Sequence, residues 1–394
     1  MAERRAAPAG SVQSVMDADV VVIGGGPVGA TLAMCLGRAG RRVMVLEKSR
    51  FPRDKPCGEG LLPSGVGVLD RLGVDLAGEG FPALTGVRYR LPGGGSAKGT
   101  YRSRTGCGVR RTRLDALLIE RAATTPGVSI ALGCPATEIR IEERRITVES
   151  RAGSLTARTL VGADGLRSTV ARWLGWDRPP RGVSRYGLVG HLSVDGAIPD
   201  EVVVTLLRGR EVYAAPTARD ELLVAVLGRR GALRNPGWSV EETYRAIVDE
   251  AHPELAGAPL TSRVRGAGPF HVGPSRVAAG GTFLVGDAAG FTDPLTGDGI
   301  AAGLVQAEAL ARFLVQDPGS AAARYREWRV GQWRRRRLVS GLALGLSGSA
   351  TLARRALGGL GRRPAALQSL LEVNDGTRSL ATVGPRDWAA LAGF

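Results

Sequence analysis

Three glycines and one acidic residue near the start of the chain have the spacing of a dinucleotide-binding site. Gly24, Gly26 and Gly29 fit the pattern G-x-G-x-x-G, in which glycine permits a tight turn, close approach to a pyrophosphate and close helix packing. Glu47 follows about 20 residues later, where an acid binds ribose hydroxyls and would repel a 2′-phosphate. The stretch therefore predicts a site for FAD or NAD(H). The predicted cofactor contacts here are Gly24, Gly26, Pro27, Val28, Gly29, Glu47 and Lys48.

The elements that must position these residues are a strand, a helix and a second strand. Val20–Ile23 is an uninterrupted run of β-branched residues, which is typical of a parallel strand buried on both faces. The apolar residues of the following helix stop at Gly40, a residue type that often caps helix C-termini. Residues 43–46 then form the second strand and place Glu47 at its end. This order of elements makes the glycine pattern specific.

Two further acidic motifs lie at the predicted ends of strands. Asp164-Gly165 follows the apolar stretch 160–163, and Gly286-Asp287 follows 283–285. A carboxylate at Asp287 can accept hydrogen bonds from ribityl hydroxyls. Residues 294–300 then present glycine backbone and a helix N-terminus, whose N–H groups suit the electron-rich edge of a flavin. Together the motifs favour FAD over a nicotinamide at the glycine turn.

Composition argues against several other classes of protein. The net charge is +16, but only Lys48, Lys55 and Lys98 among 53 basic residues are lysines. The arginines are spread over the whole chain without a nucleic-acid module, so we predict no nucleic-acid partner. The four cysteines lie far apart and form no C-x-x-C pair, so we expect neither disulfides nor a metal site.

Hydropathy sets the expected compartment. The chain has no run of about 18 apolar residues and no apolar signal-peptide segment, so we predict neither a transmembrane segment nor export. We expect residues 1–17 to be a disordered tail and the protein to be cytoplasmic. An apolar content of 44% over 394 residues is enough to bury a sizeable core.

The three motifs together resemble one family, the FAD-dependent oxidoreductases of the glutathione-reductase-like superfamily. The similar branch comprises p-hydroxybenzoate-hydroxylase-type monooxygenases, geranylgeranyl reductases and flavin halogenases, and the resemblance covers about residues 19–317. It implies an α/β fold in which an FAD-binding Rossmann domain (18–182 and 261–317) carries an inserted β-sheet substrate domain (183–260). Residues 318–394 are expected to form a helical C-terminal region.

The resemblance also assigns roles to residues. It places Arg111 near the FAD diphosphate and the loop 51–60 over the isoalloxazine, with Arg53, Cys57 and Glu59 as the catalytic candidates. Cys57 could be a redox or covalent thiol, or a small packed residue beside glycine. The remaining predicted cofactor contacts are Arg53, Gly60, Arg111, Asp164, Gly165, Gly286, Asp287, Pro294, Gly297, Asp298, Gly299 and Ile300.

Alternating segments from Val128–Leu132 through 154–159 predict a meander, and one helix is predicted at about 240–250. The substrate side is predicted from a block of strands at 183–230. Its candidate pocket residues are Tyr213, Pro216 and Phe291. The histidines, His191, His252 and His271, show no spacing typical of a metal site or a catalytic triad, so we expect them to serve packing or to lie at the surface.

Three reactions of the resembled family remain open. A monooxygenase would use NADH or NADPH to reduce FAD and pass oxygen through a flavin hydroperoxide to a small organic substrate, in specialised metabolism such as antibiotic biosynthesis. A reductase of the geranylgeranyl type is favoured by the segments FTDPLTGDGI and CGEG. Its aromatic pattern Y-x-W-x-F-P appears only as VYAAP at 212–216, without the tryptophan or the phenylalanine. A halogenase or a dehydrogenase is also considered, although Trp173 and Trp176 do not form the halogenase pattern W-x-W.

Several questions on partners also stay open. No second G-x-G-x-x-G unit occurs, so a partner reductase could replace direct NAD(P)H binding. The basic stretch from Arg324 to 337 could receive an acidic carrier protein or an anionic membrane, or be a solvated face. A flavin-binding scaffold or sensor is the non-enzymatic alternative. We assign residues 318–394 no role, and the oligomeric state stays open.

Overall fold

The structure, a computed structural model, describes residues 16–143, 145–179 and 184–393. The predicted disordered tail at 1–17 lies almost entirely outside the described residues. The described strands are β1 (Val20–Ile23), β2 (Val43–Glu47), β3 (Gly60–Leu61), β4 (Ala83–Leu84), β5 (Gly86–Arg90), β6 (Ser96–Thr100), β7 (Gly106–Gly108), β8 (Val128–Leu132), β9 (Ala136–Ile141), β10 (Ile146–Ser150), β11 (Gly153–Ala157), β12 (Thr159–Gly162), β13 (Arg185–Ser193), β14 (Val202–Leu207), β15 (Arg210–Pro216), β16 (Glu221–Arg229), β17 (Arg265–Ala267), β18 (Ala278–Ala279) and β19 (Thr282–Leu284).

Helices alternate with the first strands and then dominate the end of the chain. No helix of the described residues is both long and apolar enough to cross a bilayer. The α-helices are α1 (Pro27–Arg38), α2 (Pro63–Arg71), α3 (Arg111–Ala123), α4 (Thr169–Trp173), α5 (Val240–Ala251), α6 (Gly299–Gln316), α7 (Ala321–Ser347), α8 (Ala350–Arg362), α9 (Pro364–Asp375) and α10 (Pro385–Ala392).

A six-stranded sheet in the order β18-β19-β12-β1-β2-β8 forms the first layer. From β19 to β8 the strands are parallel, and β18 pairs antiparallel at the edge. Val20 and Val22 of β1 pack against α1 and α6, whereas Val21 and Ile23 pack on the other side with β10 and α4. Because both faces of β1 are covered, the strand is apolar without alternation.

The segments that follow α3 are divided between two sheets. The sequence predicts one meander from Val128–Leu132 through 154–159. Instead, β8 joins the parallel sheet beside β2, and only β9, β10 and β11 form an antiparallel sheet of three strands. The reason is that α3 precedes β8 and supplies the crossover connection that a parallel strand needs. This part of the predicted arrangement is wrong.

The second main layer is a seven-stranded sheet in the order β17-β13-β16-β15-β14-β5-β6. Its strands are antiparallel except β5 and β14, which pair in parallel. The sequence predicts this sheet from 183–230, but β5 and β6 come from the range assigned to the FAD-binding domain, 18–182. Helix α5 covers one face of the sheet, and its apolar side packs on β14, β15 and β16. The other face packs on Phe270, on Leu295 and on helices α8 and α9.

The C-terminal helices complete the second core and are not an appendage. Leu357, Leu367 and Leu371 of α8 and α9 share a buried cluster with strand residues such as Val87 and Val204. Gly99 of β6 is needed there, because a Cβ would come 2.8 Å from both Leu367 and Leu371. The predicted α/β class with a helical C-terminal region is confirmed.

Candidate functional site

A cavity of about 920 Å³ lies between the carboxyl ends of the parallel strands and the seven-stranded sheet. Residues just after β1, β2, β12 and β19 line it, which is where ligands bind in open α/β sheets. Gly29, Asp298 and Pro216 lie outside its lining. The predicted site residues that line it are Gly24, Gly26, Pro27, Val28, Glu47, Lys48, Arg53, Cys57, Glu59, Gly60, Arg111, Asp164, Gly165, Tyr213, Gly286, Asp287, Phe291, Pro294, Gly297, Gly299 and Ile300.

The glycine turn closes as its sequence predicts. Gly24 has a φ of +108°, a conformation that favours glycine. A Cβ on Gly29 would lie 1.9 Å from the Gly24 carbonyl oxygen, so Gly29 serves the turn rather than the cavity wall. Gly26 precedes α1, and no side chain of the described residues caps this helix N-terminus. The first backbone amides of α1 are thus suited to an anion.

Glu47 is buried at the end of β2 and fixed by backbone amides. Its Oε2 accepts the Gly25 N–H at 2.8 Å, and its Oε1 accepts the Ser49 N–H at 2.9 Å. Each carboxylate oxygen has a second lone pair, so both can still accept a ligand hydroxyl. The carboxylate is therefore oriented before any ligand arrives.

Two arginines converge on one buried carboxylate beside the glycine turn. Arg111 binds Asp115 through two bonds of 2.7 and 2.8 Å, and Arg53 approaches the same carboxylate at 3.3 Å. Arg53 also lies 3.9 Å from Glu47, and its guanidinium covers the Phe51 ring. The Nε of Arg53 is buried without a hydrogen-bond partner in the described structure. Such an orphaned donor in a cavity wall suits an anionic ligand such as a diphosphate.

Lys55 lies in the cavity wall with Arg53 and Arg111, although no motif of the sequence assigns it there. A Cβ on Gly165 would come 2.8 Å from its ammonium nitrogen, so the lysine covers this glycine. Burial lowers the pKa of Lys55, Arg111 lowers it further, and Asp287 opposes both. One available signal was the rarity of lysine in this chain, since Lys55 is one of three.

The Asp-Gly motif holds a helix as well as lining the cavity. The Asp164 carboxylate accepts the Thr169 and Val170 N–H groups at 2.6 and 3.2 Å and the Ser168 hydroxyl at 2.6 Å. These bonds cap α4. These three bonds join Asp164 to the N-terminus of α4, and its predicted contact with a cofactor stays a prediction.

The Gly-Asp motif at 286–287 and the loop that follows it form another part of the cavity wall. Gly286 donates its N–H to Gln306 of α6 at 3.1 Å, and Asp287 faces the cavity in a single 3₁₀ turn. Gly297 has a φ of +65°, and α6 begins two residues later. The loop thus presents the N-terminus of α6 to the cavity, as the sequence predicts.

Asp298 does not line the cavity, although its neighbours do, and its predicted contact with a cofactor stays a prediction. Its carboxylate is buried and binds Arg336 of α7 at 2.5 Å and the Thr296 hydroxyl at 2.8 Å. An unpaired carboxylate at this depth would be costly, and the guanidinium provides its counter-charge. Asp298 therefore holds the loop in place, and the backbone of its neighbours lines the cavity.

Helices α7 and α9 hold residues 284–298, which carry the Gly-Asp motif and the loop after it. The sequence motifs do not indicate this role. In α7, the Tyr325 hydroxyl donates to the Leu284 carbonyl at 2.9 Å, and Arg329 donates to the Ala289 carbonyl at 2.8 Å. In α9, Asn374 donates to the Thr296 carbonyl at 2.8 Å. With the Asp298 pair, these bonds fix residues 284–298 from outside the cavity.

The loop 51–60 brings Cys57 and Glu59 to the cavity. Burial raises the pKa of the Cys57 thiol, although Arg111 opposes this, so the thiol is neutral near pH 7. Glu59 has a φ of +52° and is 1% exposed. One of its oxygens accepts the Arg111 N–H at 2.8 Å, and the other pairs with His191 Nε2 at 2.8 Å. The sequence predicts that each histidine serves packing or lies at the surface. His252 is buried away from the cavity and His271 is exposed, but His191 pairs with a residue of the cavity wall.

The seven-stranded sheet supplies the substrate side of the cavity. The Tyr213 hydroxyl lies between Gly60 and Gly297, where Cβ atoms would come within 2.4 and 3.5 Å of it. Burial raises the pKa of Tyr213 above its usual range, so the hydroxyl stays protonated. Phe291 packs on Phe270 with ring centroids 5.7 Å apart. Pro216 instead packs against Gly108 outside the cavity, because its position in β15 faces β7.

The fold and the cavity define a class, the FAD-dependent oxidoreductases. One cavity brings together the glycine turn, Glu47, the Asp-Gly motif and the Gly-Asp motif. Its wall also contains the Arg53 Nε, a buried donor without a partner in the described structure. These residues fit FAD. The chain belongs to the FAD binding domain family, which it matches over residues 17–324. The resemblance described from the sequence is confirmed.

Known proteins show the same relationship. The chain is 32% identical over 332 residues to a menaquinone reductase from Mycobacterium tuberculosis, covering 75% of this chain and 76% of that protein. A flavoprotein/dehydrogenase from Cytophaga hutchinsonii is 21% identical with a TM-score of 0.80, covering 91% of this chain and 93% of that chain. PqsL, a probable FAD-dependent monooxygenase from Pseudomonas aeruginosa, is 24% identical with a TM-score of 0.73, covering 86% and 99%. These two structures are similar in fold.

Proposed function

We propose that this protein is an FAD-dependent monooxygenase that hydroxylates or otherwise oxidises a small, largely apolar organic substrate. The observation that carries the proposal is the cavity wall formed by the seven-stranded sheet. Its lining side chains are apolar or tyrosine, and Leu188, Val189 and Leu227 are among them. Such a wall excludes water from the reacting centre, which suppresses loss of activated oxygen as hydrogen peroxide.

The chain's own residues have distinct tasks in this proposal. FAD, when bound, supplies the activated oxygen. Glu47 would hold its ribose, and Arg53 with the N-terminus of α1 would hold its diphosphate. Residues 297–300 would hold the flavin ring, with Tyr213 and Phe291 on the substrate side. The neutral Cys57 thiol is not a nucleophile in this scheme.

The test follows oxygen. Purified holoenzyme is given NADH or NADPH, isotopically labelled molecular oxygen and a panel of apolar phenols and alkenes. We expect one labelled oxygen atom in the product. A Leu227→Arg variant, which places a charge in the apolar wall, should convert most reductant consumption into hydrogen peroxide. Products that are reduced or dehydrogenated but never labelled would refute the proposal.

An alkene reductase is the second candidate, and one observation favours it. Glu59 in the cavity wall forms a buried acid–base pair with His191 behind it, and hydride transfer to an alkene needs such a proton donor. The similarity to a menaquinone reductase points the same way. The same substrates under nitrogen distinguish the two, because only a reductase forms product without oxygen.

The setting of the reaction is part of the proposal. We place it in specialised metabolism, such as antibiotic biosynthesis, and in the cytoplasm, where the free thiols of Cys35, Cys57, Cys107 and Cys134 would persist. Exposed Arg230 and Arg234 at the cavity edge would suit an acidic carrier protein that delivers a tethered substrate. Comparing free and carrier-tethered forms of one substrate by kcat/KM tests this.

A further inference from the structure

A chain of buried hydrogen bonds leads from the cavity to the protein surface through the seven-stranded sheet. Glu59 pairs with His191 Nε2 at 2.8 Å, and His191 Nδ1 lies 2.8 Å from the Ser262 hydroxyl. Glu59 and His191 are 1% and 3% exposed, whereas Ser262 is partly exposed. Glu59 lines the cavity, but His191 and Ser262 do not. The chain therefore reaches solvent by a route separate from the cavity.

The backbone conformation of Glu59 and the burial of the pair are energetically unfavourable, which indicates a role beyond packing. Glu59 occupies a left-handed conformation that residues with side chains rarely adopt, with a φ of +52°. Its carboxylate and the imidazole are both removed from water, which is expensive unless each is well bonded. The groups that face the pair are the Cys57 thiol, the Arg111 backbone amide and the Ser262 hydroxyl. Strain and buried charge at one cavity residue are typical of functional sites.

The hydrogen bonds are consistent with the following arrangement of protons. The Ser262 oxygen accepts the His191 backbone N–H at 3.2 Å. Its O–H has two acceptors in reach, the Arg263 carbonyl at 3.5 Å and Nδ1 at 2.8 Å, and in this arrangement it donates to the nearer Nδ1. The Nε2–H then donates to the Glu59 carboxylate. When the Ser262 hydroxyl gives its proton to Nδ1 and takes one from solvent, Nε2 releases its proton to Glu59, which passes it to the cavity. The imidazole is then protonated at Nδ1, and rotation of the ring by 180° returns the N–H to the Glu59 side.

We propose that Glu59, His191 and Ser262 form a proton relay that connects the flavin cavity to solvent. The inference rests on the proposed function only in that the cavity hosts flavin chemistry. Monooxygenation consumes NAD(P)H, one proton and O₂ and converts R–H to R–OH, NAD(P)⁺ and water. Alkene reduction consumes NAD(P)H and one proton and converts a C=C bond to CH–CH. Either reaction takes one proton from solvent per turnover, although the cavity wall excludes water. His191 acts through Glu59 and is a positioning residue.

The test measures the rate at which oxygen reoxidises the reduced flavin. This reaction needs neither substrate nor NAD(P)H. Holoenzyme is reduced by light under nitrogen and mixed rapidly with oxygenated buffer. O₂ then takes two electrons and one proton from the anionic reduced flavin and one proton from solvent, and leaves as hydrogen peroxide. We expect His191→Gln, whose amide can still bond to Glu59, to reoxidise about 10²-fold more slowly, the lower end for a positioned acid–base group. A second variant, His191→Ala, leaves a space at this position, in which added imidazole should restore most of the rate. Ser262→Ala, at the partly exposed end, should also slow reoxidation.

The matched control is His252→Gln. His252 is equally buried but contacts Thr205, Glu254 and Arg90 away from the cavity, so its substitution should leave reoxidation unchanged. A His191→Gln protein that binds FAD and reoxidises at the normal rate overturns the relay. If added imidazole does not restore the rate, the relay is also overturned, because the Glu59–His191 pair would then only join loop 51–60 to the seven-stranded sheet. Failure of oxygen labelling leaves these outcomes intact, whereas a protein that binds no FAD overturns both proposals.

Discussion

Glu47 and Glu59 are two buried acids in one cavity, and their neighbours give them different tasks. Glu47 accepts two backbone amides from Gly25 and Ser49, so its charge is stabilised without another titratable group in direct hydrogen bond. Glu59 shares its charge with an imidazole. A carboxylate bonded by amides suits the fixed recognition of hydroxyls, whereas one bonded to histidine suits proton transfer.

The fixed acid leads to a prediction on cofactor affinity. We expect Glu47→Gln to weaken FAD binding by roughly 10- to 100-fold, since a hydrogen bond to a charged group contributes about 1.5–3 kcal/mol. Titration of apoprotein with FAD, followed by flavin fluorescence, measures this. Asp19→Asn is the matched control, because Asp19 caps the opposite end of the same strands by bonding Arg42. Equal affinities for the two variants would contradict the assignment.

Lys55 leads to a prediction on pH. Burial and Arg111 lower its pKa, so the free protein loses this charge at a lower pH than an ordinary lysine would. The negative diphosphate of FAD favours the protonated form, and binding above the lowered pKa takes up a proton. We therefore expect affinity to be highest below this pKa and to fall as pH rises through it. Dissociation constants measured across the alkaline range test the sign.

The controls for this pH effect are two methionine variants. Lys55→Met should bind FAD more weakly and lose the alkaline fall in affinity. Lys98→Met should keep it, because Lys98 lies in β6 and pairs with Glu201 outside the cavity. If the fall persists in Lys55→Met, another group is responsible.

Elements built from adjacent residues follow from the sequence, and those defined by a distant partner do not. Helix α5 spans Val240–Ala251, close to its predicted range, because Ser239 and Glu242 form a capping box that is visible in sequence. Strand β8 shows the same alternation whether it joins an antiparallel or a parallel sheet, so its partner could not be read. The same holds for Asp298, whose type and position suit a cofactor loop until Arg336 is seen beside it.

Helix α7 leads to a prediction at the scale of elements. Arg336→Leu leaves the Asp298 carboxylate buried and unpaired, and we expect it to lower the free energy of unfolding by about 3–5 kcal/mol. FAD affinity should also fall, because the loop that follows Thr296 loses its anchor. Denaturant unfolding and FAD titration measure the two effects.

The control for Arg336 is its neighbour on the same helix. Arg337 is exposed, so Arg337→Leu should change stability by less than about 0.5 kcal/mol. Adding Asp298→Asn to Arg336→Leu should recover part of the loss, since the two side chains are coupled. Additive effects in the double variant would show that the pair does not hold the loop.

At the scale of the whole molecule, the sequence indicates the motifs that line the cavity, but not the Glu59–His191 pair or the contacts of α7 and α9 with residues 284–298. Glycine turns and strand-end acids are local signals that repeat a known geometry. Glu59 and His191 are 132 residues apart, and only the packing of loop 51–60 on the seven-stranded sheet joins them. Strands β5 and β14 also pair across a long stretch of sequence. The seven-stranded sheet therefore includes residues that precede the predicted block at 183–230.

The C-terminal helices lead to the last prediction, because they share a core with the seven-stranded sheet. Leu367 is 4% exposed and packs in that core against Gly99 of β6, so Leu367→Ala should cost about 2–5 kcal/mol. Leu352→Ala is the matched control, since Leu352 is 49% exposed on α8. Circular dichroism and release of FAD should report one shared transition in both proteins, shifted only in Leu367→Ala. Release of FAD in a separate, unshifted transition would show that the C-terminal helices unfold independently of the cavity, and that the contacts of α7 and α9 with residues 284–298 do not support cofactor binding.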